Sequence, residues 1–332
     1  MLILSGDIGA TKAHFALITA TADTFQKPAV HNEVILSSAD FDNAQKLVSR
    51  VINIMGKRPD AVSLGVAGPV HDQCCQGTNI PWRINSHELK KELDLPIVYI
   101  INDLEAIACG IPTLTATDVY ELHQGKPNPT GNIAVIAAGT GLGEAGICQH
   151  NANFYSFPSE GGHTDFAPAN AKEWALLEFL SNRYGHVSWE RVISGLGIPN
   201  ILDFLCQYHK LLPTASVQDC SIIKDRTACI CAAADTRSCS LCIETMAMFV
   251  SIYGREAGNY ALKIMATGGV YLAGGVSTKI LPHLQLPEFL SAFFAKGRLQ
   301  SVMHDIPVRV ILNNQVALFG AAIAALRHYK FI

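Results

Sequence analysis

Charge is scarce in this chain: of 332 residues only 16% are Asp, Glu, Lys or Arg, and the net charge is -3 with the 12 histidines neutral. No broad positive field is available to coat a nucleic-acid backbone, so nucleic acid is not expected as a partner. Long apolar runs are missing too. The longest near the end, VALFGAAIAAL at 316–326, falls short of the roughly 17 to 25 residues of a membrane span. The start, MLILSGDIGA, has no basic leader and meets Asp7 after a few apolar residues, which argues against a signal peptide. Low-complexity linkers are absent, as is the G-x-x-x-x-G-K-[ST] signature of a P-loop. The expectation is a cytoplasmic protein with no membrane partner.

Hydrophobic residues make up 49% of the chain, enough for packed cores without a long disordered tail. The length suggests about two domains. Ten cysteines include a bunch at Cys229, Cys231, Cys239 and Cys242. The second pair opens an apolar helical run, LCIETMAMFV, so reduced thiols, buried or idle, are expected over a zinc knuckle.

Along the chain, LILSGDIGATKAHFALI has apolar runs on both sides of a glycine turn and predicts a hairpin. AQKLVSRVINIMGK (44–57) has helical spacing, AVSLGVAG (61–68) reads as a buried strand, and Asn85 with Glu88 forms a capping box for the next helix. LPIVYIIND places Asn102 and Asp103 at the carboxyl end of a strand, where open α/β sheets present ligand groups. A second strand, glycine turn and strand follow in IAVIAAGTGLGEAGIC. Helices are expected at 172–185, at 241–265 and from Val316 onward, with strands at 269–275 and 308–312. The alternation indicates α/β.

Gly141, Gly143 and Gly146 satisfy the G-x-G-x-x-G pattern of a dinucleotide site, and Asp165 stands where a ribose acid would be wanted. That reading is an NAD(P)-dependent dehydrogenase. It requires a helix after the third glycine, whereas ICQHNANFYSF, with Asn151 and Asn153, reads as another hairpin. What remains is a tight turn at Gly139, Thr140, Gly141 and Gly143 whose backbone N–H groups and threonine hydroxyl suit phosphate oxygens. GDIGAT (6–11) is a second such turn, adding Asp7 as an oxygen ligand for Mg²⁺ and Thr11 as a donor. Two phosphate-type turns, one with a carboxylate, imply a nucleoside triphosphate. In LAGGV, Gly274 and Gly275 would let a base or ribose approach the backbone.

Asn79, Asn102, Asp103, Glu160, His163 and Glu190 supply the carboxylates, amides and imidazole that vicinal hydroxyls need, since each hydroxyl both donates and accepts. Glu190 after Ser188 also fits a residue decorating a helix start, and His163 a structural histidine. Asp103 is the candidate general base of a phosphoryl transfer.

GDIGATK, TNIPW, IIND, AGTGLG, PSEGGHTDFAP, GHVSWERVISG and LAGGV, in this order over almost the whole chain, resemble the bacterial glucokinase family within the actin-like sugar-kinase superfamily. The resemblance implies a two-domain actin-like ATPase (ribonuclease H-like) fold with an interdomain cleft, a small domain at 1–112 plus 314–332 and a large one at 113–313. It implies ATP- and Mg²⁺-dependent phosphorylation of D-glucose on its 6-hydroxyl, commonly by a homodimer. Asp103 would be the base, Asn102, Glu160, His163 and Glu190 sugar ligands and Asn79 a further contact. The turns around Gly9, Ala10 and Thr11 and around 139–143 would clamp the phosphates. Asp7 would hold the metal through water. Three positions depart from the family pattern: Ala10 replaces a glycine and puts a methyl near the phosphates, Glu144 replaces an apolar residue and is expected to add negative charge near the triphosphate, and Leu196 interrupts SGPG. The zinc-binding C-x-C-G-x-x-G-C run of the other sugar-kinase branch is not matched. A non-catalytic sugar-binding regulator on the same fold is the remaining alternative, against which the chain's start directly in the first strand leaves no room for a DNA-reading domain.

Overall fold

In the computed structural model the described residues are 1–9, 11–20, 27–77, 81–150, 153–214, 217–218 and 225–330. Two units divide the chain, one comprising Met1–Val119, Ala145–Pro158 and Asn313–Ile332, the other Tyr120–Glu144 and Ser159–Leu312.

In the first unit, β1 (Leu2–Ile8), β2 (Lys12–Thr19) and β3 (Ala29–Ser37) are followed by β4 (Ala61–Val66) and the short β5 (Val70–His71), β6 (Cys74–Gln76) and β7 (Arg83–Asn85), then β8 (Val98–Asn102). The sheet order is β3-β2-β1-β4-β8, and β5-β6-β7 form a small sheet of their own. β1 and β2 are the expected antiparallel hairpin, while β1, β4 and β8 run parallel. β1 and β4 are buried along nearly their whole length because the sheet is covered on both faces. Side chains alternate between two cores: Leu4, Val62 and Leu64 pack with Leu47, Val48 and Val51 of the helix Ala44–Met55, whereas Ile3 and Ala61 pack with Leu318, Phe319 and Ala322 of the helix Val316–Lys330.

Local signals set the helix ends. The Asn43 side chain accepts from Lys46 N, and Gly56 closes that helix at φ 66°, a conformation that favours glycine. Asn85 caps Ser86–Glu92 by accepting from His87 N and Glu88 N. The reciprocal half of the expected capping box is not made; Glu88 lies 3.6 Å from Arg83 instead. The helix Asp103–Gly110 meets Val316–Lys330 backbone to backbone: a Cβ on Gly320 would overlap Ala106 O and one on Gly110 would overlap Val316 O. Asp118 ties Lys27, just before β3, to Asn313, accepting from Asn313 Nδ2 at 2.8 Å and from Lys27 Nζ at 2.8 Å.

The later strands are β9 (Val119–His123), β10 (Ile133–Ala138), β11 (Leu142–His150), β12 (Asn153–Ser159), β13 (Gly269–Ala273) and β14 (Val308–Ile311), ordered β12-β11-β10-β13-β14-β9, with β10, β13 and β14 parallel. Asn151 lies outside the described residues, and Asn153 begins β12 rather than a turn. In the second unit the helix Ser240–Ile264 is the backbone of the core, with Phe249 and Tyr253 buried against Phe289 and Phe293. Gly254 permits that contact, since a Cβ there would overlap Phe289 O.

Among the described residues no group of His, Cys, Asp or Glu could hold a metal between its own side chains. Cys231, Cys239 and Cys242 are free as expected, whereas Cys229 is disulfide-bonded and not a reduced thiol. No helix among the described residues is long and apolar enough to cross a membrane.

Candidate active site

In the first unit β1 delivers Asp7, with His14 of β2 and Gly65 of β4 as its neighbours in the sheet. Burial pushes the Asp7 carboxyl above its ordinary range, and the nearby His14 opposes that shift. The turn beyond it is braced from behind. Gly9 N donates to Lys12 O at 3.0 Å, Ser38 Oγ donates to Gly9 O at 2.7 Å, and Ser38 N donates to Thr11 O at 3.3 Å. Thr11 is exposed at the tip; Ala10 lies outside the described residues, as does Asn79.

At the end of β8, Asn102 is the N-cap of Asp103–Gly110. Its Oδ1 accepts from Leu104 N at 2.9 Å and Glu105 N at 3.2 Å, and its Nδ2 donates to Gly68 O at 3.1 Å. Both oxygen lone pairs are thereby engaged, leaving one amide N–H. Asp103 is the first residue of the helix, half-buried, with Oδ1 accepting from Leu104 N at 3.0 Å. Helix N-termini favour negative charge, so this is a fitting seat for a carboxylate. Burial pushes the Cys75 thiol up to about 11, and the Asp103 charge adds to the effect.

The second unit holds the other polar residues around the turn that joins β10 to β11. Gly139 N donates to Gly141 O at 2.9 Å, and Gly195 N donates to Gly139 O at 2.8 Å. Thr140 is exposed, whereas Gly143 lies on β11 rather than in the turn. Glu190 occupies a single turn, Trp189–Arg191, anchored by the buried Trp189 packed edge-on against Phe166. Its Oε2 accepts from Leu142 N at 3.0 Å, so its role extends beyond the helix start considered for it. A Cβ on Gly141 would overlap this oxygen, so glycine there lets the Glu190 carboxylate lie close against the turn.

His163 closes the tight turn Gly161–His163 by donating from its backbone N to Glu160 O at 3.0 Å, and Trp189 N donates to Thr164 O at 3.0 Å. His163 Nε2 lies 3.9 Å from Glu160 Oε2, and its Nδ1 lies 4.0 Å from Glu190 Oε1. These separations are too long for hydrogen bonds. Donor and acceptor capacity is therefore left for a ligand. Gly274, at φ +84°, sits where a Cβ would overlap Ala138 O, and a Cβ on Gly275 would meet nothing within 4 Å. Backbone is thus open to close approach at Gly275.

The chain matches the family model described as Glucokinase over residues 4–328. It is 38% identical to a glucokinase of Nostoc punctiforme over 342 residues, 98% of this chain and 99% of that protein. The glucokinase of Synechocystis sp. is also 38% identical, over 345 residues and 97% of each chain. The chain belongs to the glucokinase family. Its fold is the two-domain actin-like α/β fold of the sugar kinases. A crystal structure of glucokinase from an Antarctic psychrotroph superposes with TM-score 0.84 at 28% identity over 98% of both chains. Glucokinase from Balamuthia mandrillaris in complex with glucose gives TM-score 0.78 at 23% identity, covering 98% of this chain and 93% of that one. As a member of the glucokinase family the chain is an ATP-dependent hexose kinase.

The dehydrogenase reading does not survive. Gly146, the third glycine of its motif, lies inside β11 with Phe157 packed where a Cβ would be, and no helix follows. Asp165 is paired with His186 at 2.9 Å. Another expectation is corrected at Glu144. Its side chain is only 1% exposed, and burial first, then the neighbouring Glu256, push its carboxyl up to about 8. Its protonated form is thereby favoured near neutrality, which works against the negative charge expected beside a triphosphate. Sequence reasoning missed Ser38 and Gly195 as braces of the two glycine turns. No local pattern marks them, because each acts on a turn remote in sequence.

Proposed function

We propose that the enzyme transfers the γ-phosphoryl group of ATP to the 6-hydroxyl of D-glucose, yielding glucose 6-phosphate and ADP at the first step of glycolysis. Asp103 accepts the hydroxyl proton as the new O–P bond forms and the bond from Pγ to the bridging oxygen of ADP breaks. The observation that carries this role is the seat of Asp103. Leu104 N donates to its carboxylate, and Asn102 at the strand end caps the helix that Asp103 opens. Asn102, Glu160, His163 and Glu190 bind the sugar hydroxyls, with Asn79 as a further contact. The small domain of this reading is 1–112 plus 314–332, and the large one 113–313.

The turn at Gly9, Ala10 and Thr11, and the one at Gly139, Thr140, Gly141 and Gly143, bind the phosphates through those of their N–H and hydroxyl groups that the turns do not themselves use, with Gly274 and Gly275 beside the nucleoside. Mg²⁺ fits Asp7: a buried carboxyl whose proton affinity is raised is relieved by a divalent cation. One carboxylate suffices when phosphate oxygens and water complete the shell. When bound, the ion neutralises phosphate charge. The reading carries with it a cytoplasmic homodimer.

A coupled assay for glucose 6-phosphate, with wild type and Asp103→Asn side by side, tests it. Glucose binding retained with product formation lost supports the assignment; a variant that keeps wild-type turnover refutes it. Two proteins that both bind glucose and make no product would favour the non-catalytic regulator.

A further inference from the structure

Glu144 is the third residue of β11; as a carboxylate neither of its oxygens finds a donor among the described residues, and only the protonated form can hydrogen-bond its neighbour Glu256. A buried polar group in that condition is costly unless it performs a task. Above it lies the turn that carries His163. A Cβ on Gly161 would overlap Glu144 Oε2, and a Cβ on Gly162 would overlap Leu142 O. The two glycines thus let the turn rest directly on the start of β11. The Ser159 Oγ accepts from Gly161 N at 3.0 Å and fixes the other side of the turn.

From the helix Ser240–Ile264 the groups that face Glu144 are Tyr253, Glu256, Tyr260 and Lys263. Glu256 is itself satisfied, accepting from Asn259 Nδ2 at 2.9 Å and Lys263 Nζ at 3.3 Å. Lys296 bonds Arg255 O at 3.0 Å and Asn259 Oδ1 at 2.6 Å. Of this acid pair, Glu256 has the cation and Glu144 has the turn.

We propose that Glu144 is a positioning residue for the sugar-binding turn: seated between Gly161 and the helix Ser240–Ile264, its carboxyl sets the height of the turn and so the placement of Glu160 and His163. The inference rests on the reading of those two residues as sugar ligands. In the neutral form the carboxyl fills its seat without charge. Burial raises the proton affinity of both Glu144 and Glu256, and when the pair gives up the proton they share, a second negative charge lies buried between them and the turn must move to admit water. With its pKa pushed up to about 8, the change falls on the alkaline side of neutrality.

The test is glucose KM and kcat from about pH 6 to about pH 9.5, where a single proton can change KM by at most about tenfold per pH unit. Wild type is expected to show KM rising above about pH 8 with kcat nearly constant. Glu144→Gln is expected to abolish the rise, and Glu144→Ala to raise KM about tenfold at all pH values by removing the prop. Lys296 titrates in the same range, pushed down to about 8 by burial and by Arg255; Lys296→Met is expected to keep the wild-type rise. The proposal is overturned if Glu144→Gln keeps the rise, or if Lys296→Met removes it. Should Glu144→Ala fail to fold, the Glu144→Gln profile decides alone. His163→Ala separates the two levels: an unchanged glucose KM there overturns the sugar-site reading and this inference with it, whereas a raised KM beside an unaltered Glu144→Gln profile overturns this inference only.

Discussion

A single side chain can carry two tasks, and Glu190 is the case here. Its Oε2 accepts from Leu142 N at the exit of the 139–141 turn while Oε1 faces His163 at 4.0 Å. Glu190→Gln keeps an oxygen that can accept from Leu142 N, whereas Glu190→Ala removes it. The expected outcome is a raised glucose KM in both variants and a raised ATP KM only in Glu190→Ala, measured by initial rates with each substrate varied. Asp103→Asn is expected to lower kcat by about 10² to 10⁴, the range for loss of a general base, with a much smaller effect on glucose KM. Asn102→Ala deletes an N-cap, costing about 1 kcal/mol of stability, and frees Gly68 and the start of the helix; thermal denaturation and kcat should both report the loss.

Elements were legible in the sequence where local chemistry alone decides them. The β1–β2 hairpin shows as apolar runs around glycine, Ala44–Met55 as a helical stripe between Asn43 and Gly56, and the end of β8 as apolar residues stopping at Asn102. β3 is an exposed edge strand without a buried alternating face, and β5, β6 and β7 are too short to display a period. The tie of Glu190 to Leu142 and the burial of Glu144 arise from residues distant in the chain meeting in the fold, so composition and spacing leave no trace of them. The same holds for the meeting of Asp103–Gly110 with Val316–Lys330, where glycine at 110 and 320 is a tertiary requirement. Gly320→Ala drives a Cβ into Ala106 O and Gly110 N. It is expected to cost about 1 to 3 kcal/mol, the usual range for overpacking, and, by shifting the helix that opens with Asp103, to lower kcat; denaturant unfolding and steady-state kinetics check both.

At the scale of the whole molecule, proton affinity links stability to pH. Burial and the neighbouring Glu256 push the Glu144 carboxyl up to about 8 in the folded state, from its ordinary value of 4.5. The folded form therefore binds a proton that the unfolded chain has released across that window, and its contribution to stability, full below about pH 4.5, is lost as pH rises through about 8. Glu144→Gln, neutral throughout, is expected to match wild type near about pH 5 and to melt at a higher temperature near about pH 8.5, as read by calorimetry. An equal difference at both pH values would contradict the assignment. The central claim, a carboxylate at the head of one helix addressing a sugar alcohol, is tested most directly by a crystal structure with glucose and a non-hydrolysable ATP analogue bound. The account predicts the Asp103 carboxylate within about 2.6 to 3.2 Å of the sugar 6-oxygen; an Asp103 turned away from that oxygen, with another group in its place, would contradict it.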